Sequence, residues 1–482
     1  MISNQLVPDR ELVSVLRLPF EFERLRDGRI AVVSTAGDWV LLEPEEFNQL
    51  TTNDSLPASL AKRLTSSHIV RYIDSRTPHE LLKLKLATRY RDILEGASLH
   101  IFVVTLRCEH SCGYCQVSRK NSETNEYDMT EENAMAALKI VFQSPSRSIK
   151  IEFQGGESLL NFDLIKFIVL QSKEMNLEGR KNLQFVIASN LVPISDQILD
   201  FAEEHGIFFS TSIDGPSDIH NKNRHRPGLD SWEKAVAGID RVRARLGPDS
   251  VAALMTTTKL SLQYPEQIID EYVRLGFHEI FLRQLSPYGF AIKGKGFSSY
   301  DHDEWMIFYE RGLRHIIELN REGTHVSELM SSLYLKKMLT NENGRYVDLT
   351  TPSGCGLGAL IYNYDGYVYA SDEGRMLKEM GDERFNLGHV GSASYEGLLS
   401  SDHFFEMIEE SFAPSNPMCS DCALKLFCGS DPVFHYATQG NYVGHKAKSS
   451  FCKRTKEIVP LLMQLYIDDE FCRQLFDRWA NQ

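Results

Sequence analysis

Three cysteines stand within eight residues in the stretch "CEHSCGYC", with the spacing Cys108-x3-Cys112-x2-Cys115. A four-iron cubane takes one thiolate per iron, so three cysteines leave one iron with an open coordination position. An open position distinguishes a reactive metal site from a structural one. The competing reading is a zinc knuckle completed by His110. A second set, Cys419-x2-Cys422-x5-Cys428 followed by Cys452, supplies four thiolates and so a closed site, for iron–sulfur or for zinc. Cys355 lies between the two sets. Cys472 falls in an apolar-periodic stretch and reads as a core residue.

Polar groups recur at the ends of strand-like runs. "FQGGESLL" offers Gly155, Gly156 and Glu157, two residues that allow close backbone approach and a carboxylate that can accept bonds from an amino group. "ASNLVP" offers Ser189 and Asn190, suited to ribose hydroxyls or, equally, to a helix N-cap. "STSIDGPSDIHNKNRHRPG" offers Ser212, Asp214 and Arg224, suited to a carboxylate and its polar neighbours, although Asp214-Gly215-Pro216 alone is an ordinary turn. Together the four strand ends match the parts of an amino acid joined to a nucleoside.

The elements that must position these groups alternate. Six strand-like runs, "LHIFVVTL", "SIKIEFQ", "LQFVIAS", "IFFSTSI", "VAALMTT" and "HEIFLRQL", are separated by helix-length stretches. This predicts βα units around a parallel sheet, with ligands at the carboxyl ends of the strands. The expected division is an α+β unit over 1–85, a barrel over 95–300, a helical connection over 301–350 and a cysteine-punctuated, metal-organised domain over 351–482. The last contains a hairpin signal, "YNYDGYVY", centred on Asp365-Gly366.

Composition narrows the class. The chain has 482 residues, 42% of them apolar, and a net charge of −14, which argues against an extended nucleic-acid surface. The opening "MISNQLVPDRELVSV" lacks the order of a signal peptide. The apolar run "IVPLLMQLYI" is short and predicts a core helix rather than a membrane span. Reduced thiols and oxygen-sensitive clusters point to the cytoplasm.

The stretch from Leu99 to Ser286 resembles the radical S-adenosylmethionine (SAM) superfamily, whose signature Cys-x3-Cys-x-aromatic-Cys is matched by Cys108, Cys112, Tyr114 and Cys115. The resemblance implies a partial (β/α)6 barrel whose [4Fe–4S] cluster binds SAM, cleaves it with one electron and releases a 5′-deoxyadenosyl radical that abstracts hydrogen from a substrate. It implies that Gly155, Gly156 and Glu157 hold the methionine amine and that Ser189 and Asn190 lie near the ribose. Ser212 and Arg224 would lie at the carboxylate, with the Tyr114 backbone at the adenine.

The C-terminal cysteines resemble the SPASM domain of radical SAM peptide maturases, with two departures. Ser371 and Asp431 stand where that pattern has cysteines of a first auxiliary cluster. Hard ligands disfavour a cluster there, so the expectation is one auxiliary [4Fe–4S] cluster at Cys419, Cys422, Cys428 and Cys452, with Cys355 free. In sulfatase-maturing relatives the aspartate matching Asp372 takes up a proton from the substrate, making Asp372 the candidate base. "YNYDGYVYASDEGRMLKEMGDERFNLGHV", "FHYATQGN" and "FERLRDGRIAVVSTAG" resemble the B-type maturases of the His-Xaa-Ser peptide system. Residues 1–85 resemble PqqD-like elements, which bind leader peptides by strand addition. These resemblances imply an oxidoreductase acting on a ribosomally made precursor peptide, with an electron donor such as flavodoxin or ferredoxin and a second maturase as partners. The alternatives are a sulfatase-maturing type of enzyme acting on a protein Ser or Cys, and a zinc-binding cysteine-rich module.

Overall fold

The computed structural model describes residues 11–343 and 346–482; the first ten residues of the expected N-terminal unit, and residues 344–345 of the expected connection, lie outside the described residues. At the N-terminus, Leu12–Arg17 pairs antiparallel with both Ser55–Pro57 and Val70–Tyr72. Phe20–Arg24, Ile30–Ser34 and Trp39–Leu42 form a second antiparallel sheet, turned at Asp27-Gly28 and Gly37-Asp38. Helices Pro44–Thr52 and Ala58–Ser66 place Leu50, Leu60 and Leu64 against Val32 and Leu42.

Strands β1 (Leu99–Thr105), β2 (Ser148–Gly155), β3 (Asn182–Ala188), β4 (Ile207–Ser212) and β5 (Val251–Leu254) pair in parallel, each with the next. Period-2 patterning explains their faces. Ile149, Ile151 and Phe153 of β2 are buried in the apolar core with Ile165, Ile168 and Val169 of helix Phe162–Met175, while Glu152 and Gln154 line the opposite, concave face.

The sixth expected run forms a strand over only Glu279–Ile280, and this pairs with Ser327–Glu328. Its continuation is held by other bonds: Leu282 N donates to the buried Glu328 carboxylate (3.2 Å) and Arg283 O accepts from Thr257 N (3.0 Å). On the other side of β1, strand β6 (Ala359–Tyr362) pairs in parallel with it and continues antiparallel into β7 (Tyr367–Tyr369) and β8 (Asn386–His389). The sheet therefore runs β5-β4-β3-β2-β1-β6-β7-β8. The expected hairpin is present, and it extends the barrel sheet.

Helices His302–Arg321, Leu329–Leu339, Ser450–Asp468 and Glu470–Ala480 pack together beside the barrel. Ile458, Val459 and Leu462 are buried and Cys472 is a core residue, as their sequence context implies. No helix among the described residues is long and apolar enough to cross a membrane. The N-terminal unit is tied to these helices by Trp39 Nε1 donating to Met338 O (3.1 Å) and by the Arg29–Asp468 ion pair (2.6 Å).

Candidate active site

The triple-cysteine loop leaves the carboxyl end of β1 and is pinched at its base. Lys120 N donates to Leu106 O (2.7 Å) and Cys108 N to Lys120 O (3.2 Å). Arg107 makes a bidentate pair with Asp128 (2.8 and 2.7 Å) and also donates to Leu160 O, so a mostly buried charge pair fixes where the loop starts. The end of β2 approaches this base closely. A Cβ on Gly155 would lie 2.0 Å from Thr105 O, and one on Gly156 would lie 2.3 Å from Arg107 O, so only glycine fits at either position.

Cys108, Cys112 and Cys115 line one cavity of about 270 Å³. The same cavity is lined by Tyr114, Gly155, Gly156, Ser189, Asn190 and Ser212, and also by Arg224 and Asp372. Ten groups expected from sequence around the cysteine loop and strand ends, and one expected from the distant C-terminal segment, thus meet in one space.

Glu157 is the exception and does not line the cavity. It is buried beneath the cavity wall, where its carboxylate accepts from Leu159 N (3.0 Å), Ser189 Oγ (2.7 Å) and Asn190 N (2.7 Å). The role that follows from this geometry is to hold the Ser189–Asn190 turn. Burial, with Glu109 nearby, pushes the Glu157 carboxyl up to about 7.

Arg224 brings positive charge to the cavity. It donates to the fully buried Asp214 (3.3 Å), which also accepts from Tyr114 Oη (2.6 Å), and its guanidinium lies over the Tyr114 ring. The Tyr114 side chain is therefore engaged within the wall, which leaves its backbone for any ligand. His110 engages both imidazole nitrogens, with Ser231 Oγ (2.8 Å) and Glu109 (3.1 Å), and so is tied to the barrel wall. Although Cys108, Glu109 and His110 come within 4.8 Å of one another, that set omits the other two thiols.

Asp372 begins helix Asp372–Lys378, and the fully buried Arg375 donates to it twice (2.7 and 3.1 Å). Ser371 caps this helix by accepting from Gly374 N (3.0 Å), and Asp431 caps helix Pro432–Gln439 by accepting from Val433 N and Phe434 N (2.9 and 3.1 Å). Both positions that depart from the SPASM cysteine pattern are thus helix N-caps. Cys355 is buried and accepts from Ser353 Oγ (3.1 Å).

Cys419, Cys422, Cys428 and Cys452 line a second, much smaller cavity together with Lys425, Lys446 and Lys456. Four thiols with nearby cations fit a closed metal site, since thiolates are the ligating form. Sequence reasoning missed Glu152, Gln154, Arg119, Arg283 and Met376, which also line the large cavity. Period-2 alternation along β2 was a usable signal for the first two.

Residues 102–281 match the model of the radical SAM superfamily. An uncharacterized protein of Methanocaldococcus jannaschii is 28% identical over 195 residues, covering 40% of this chain and 65% of that protein. The cysteine-type anaerobic sulfatase-maturating enzyme of Clostridium perfringens is 22% identical over 400 residues, 80% of this chain and 97% of its own. Among solved structures, native anSMEcpe with bound AdoMet superposes with TM-score 0.63 at 18% identity, covering 80% of this chain and 99% of that one. Streptococcus suis SuiB bound to precursor peptide SuiA gives TM-score 0.52 at 13% identity, covering 91% of this chain and 100% of that one. The three-cysteine loop, opening on a polar cavity at the carboxyl ends of a parallel sheet, lies within the segment that matches the radical SAM superfamily, so the chain is an enzyme with a radical SAM fold, similar over 80% of its length to an anaerobic sulfatase-maturating enzyme.

Proposed function

We propose that this enzyme is a peptide maturase: it cleaves SAM reductively and oxidises a residue of a ribosomally made precursor peptide. The observation that carries the reading is Asp372, which the C-terminal segment delivers to the cavity lined by Cys108, Cys112 and Cys115. When bound, a [4Fe–4S] cluster at these thiols would supply the electron for cleavage, and SAM the hydrogen-abstracting radical. Arg224 would meet the SAM carboxylate, the Gly155–Gly156 backbone its amino group, and Ser189 and Asn190 its ribose. Asp372, oriented by Arg375, receives the substrate proton.

A peptide substrate is supported by the N-terminal unit, whose sheets suit leader binding by strand addition. The sulfatase-maturing structure covers 80% of this chain and the peptide-bound SuiB structure 91%. The substrate class that the sequence resemblance implies is a His-Xaa-Ser peptide, presented in the cytoplasm with a flavodoxin- or ferredoxin-like donor and a second maturase. Cys419, Cys422, Cys428 and Cys452 would hold the one auxiliary cluster. A second reading, a protein Ser or Cys as in sulfatase maturation, is favoured by the match to nearly the whole length of those enzymes.

The test incubates the reduced, reconstituted enzyme with SAM and either a His-Xaa-Ser precursor or a sulfatase-derived peptide. The expected result is 5′-deoxyadenosine with a mass loss in the precursor alone. In Asp372→Asn, 5′-deoxyadenosine still forms while product falls at least about a hundredfold, the low end of general-base contributions. Modification of the sulfatase peptide alone would establish the second reading.

A further inference from the structure

Behind Asp372 lies a separate buried chamber of about 40 Å³. Three carboxylates line it: Asp348, Glu373 and Asp431. Two arginines, Arg283 and Arg454, also line it, and Arg283 lines the large cavity as well, so the two spaces share a wall. Glu373 is the residue after Asp372 and sits 3.8 Å from the Arg283 guanidinium. The chamber occupies the region of Cys355 and Asp431, two positions of the SPASM first-cluster pattern.

A second observation says what fills it. Tyr288 Oη, Trp305 Nε1 and Arg454 Nε are buried polar atoms on its lining without hydrogen-bond partners among the described residues. Tyr288 and Trp305 are each only 1% exposed. Buried donors are ordinarily satisfied, and one water needs about 10–15 Å³ of such space. A chamber of this size has room for about two to four waters between the three carboxylates and the orphaned donors of its lining.

We infer that Glu373, Asp348 and Asp431, linked by ordered water, form a proton-accepting chamber that takes over the proton Asp372 removes from the substrate. The inference rests on the oxidative reading above. In that oxidation the substrate loses one hydrogen atom to the SAM-derived fragment, one electron to an iron–sulfur cluster and one proton to Asp372. Protonated Glu373 then gives its own proton through water to Asp348 or Asp431 and receives the one on Asp372, so charge and atoms balance and Asp372 is ready again.

The groups facing Glu373 set which carboxyls carry a proton at rest. Burial pushes it up to about 8, with Asp348 and Asp372 adding to the rise and Arg283 opposing it. Burial likewise pushes Asp348 up to about 6, with Asp431 adding and Arg283 and Arg454 opposing. Asp431 also reaches about 6, through burial and Glu373. Tyr288, Tyr346 and Cys355 complete the titratable surroundings, and their acid forms are favoured by burial. At neutral pH Glu373 thus carries a proton and the two aspartates are able to accept one.

Glu373 acts through Asp372 and is a positioning residue, tested by two readouts. Infrared difference spectra of the reconstituted full chain, titrated from pH ~5 to ~9, should show a protonated buried carboxyl at neutral pH that is missing in Glu373→Gln. In turnover, Glu373→Gln should keep SAM cleavage but raise the ratio of 5′-deoxyadenosine to product at least about tenfold, and abolish the wild-type rise of product rate with pH near 6. Asp348→Asn gives the same turnover readouts if Glu373→Gln fails to accumulate. Wild-type spectra without the carboxyl band, or variants with the wild-type ratio and pH profile, overturn the inference. Wild type that cleaves SAM but modifies no peptide overturns the proposed function instead, and the infrared band then decides the chamber on its own.

Discussion

Gly156→Ala tests how the cysteine loop is held. The added methyl would sit 2.3 Å from Arg107 O and 2.5 Å from Leu106 O, both backbone atoms at the base of the loop. Ordinary carbon–oxygen contact begins at about 3.3 Å, so the β2 end and the loop must separate by roughly 1 Å. That movement stretches two bonds that join them, Gly156 N to Thr105 O (2.9 Å) and Glu157 N to Arg107 O (2.7 Å), beyond hydrogen-bonding distance. Overpacking costs about 1–3 kcal/mol and each weakened bond about 0.5–1.5 kcal/mol. The variant should therefore lose roughly 2–6 kcal/mol locally, and with it the registration of the three thiols. Gly113→Ala is the matched control: it lies inside the loop between Cys112 and Tyr114, and its added Cβ meets nothing within 4 Å. After anaerobic reconstitution, Gly156→Ala should retain about half the wild-type iron, from the C-terminal site alone, while Gly113→Ala retains all of it. Equal iron in Gly156→Ala and wild type, with unchanged urea unfolding of the barrel, would refute the claim that this close approach positions the loop.

The reconstituted wild type should hold about eight irons, falling to about four in the Cys108→Ala/Cys112→Ala/Cys115→Ala variant; acid-labile sulfide measured alongside checks it, and about twelve irons would restore the first auxiliary cluster. Asp431→Ala and Ser371→Ala should each lower stability by about 1 kcal/mol, as lost caps do, and leave iron unchanged; loss of about four irons in either would make that residue a ligand. Acid should weaken the fold. Buried His100 and His435 are held down to about 4, and His220 to about 3, chiefly by burial. In the unfolded chain they take protons near 6.5, so the stability from keeping them neutral is full above that pH and is lost as pH falls toward 4, by up to about 3 kcal/mol at His100 alone. Urea midpoints of the cluster-free chain at pH ~7 and ~5 measure this, and His100→Gln should flatten the difference.

The barrel and most of its site were legible because two short-range rules fix them. Alternation assigns strand faces, and ligands gather where parallel strands end, so Gly155, Ser189 and Ser212 could be placed before any coordinates. The burial of Glu157 away from the cavity was not legible. Its direction follows from the tight passage of Gly155 and Gly156 beneath Thr105 and Arg107, a contact between segments about fifty residues apart in the chain. Arg283 escaped for a similar reason: it follows a strand cut short by pairing with Ser327–Glu328, and nothing local marks the side chain as a shared wall. One of the two helix caps carried a readable signal, because Asp431 precedes Pro432 and a proline at the first helical position is a common start.

Those caps explain how a chain that departs from a ligand pattern keeps the helix carrying Asp372. A four-thiolate cluster can fix a loop by covalent ligation. Here the same positions are fixed by hydrogen bonds instead. Ser371 Oγ accepts from Gly374 N, Asp431 Oδ1 accepts from two backbone N–H groups, and Cys355 Sγ accepts from Ser353 Oγ. Each substituted side chain thus satisfies a backbone donor at a helix start, where such donors lack intrahelical partners. The helix starting at Asp372 consequently needs no metal to begin there, and the Arg375 fork sets the direction of its first carboxylate. Of the two departures, Asp431 also lines the chamber, where it joins Asp348 and Glu373 beside the orphaned donors. On the proposed reading, the change from sulfur to oxygen removes a site for electrons and leaves, next to Asp372, groups able to exchange protons.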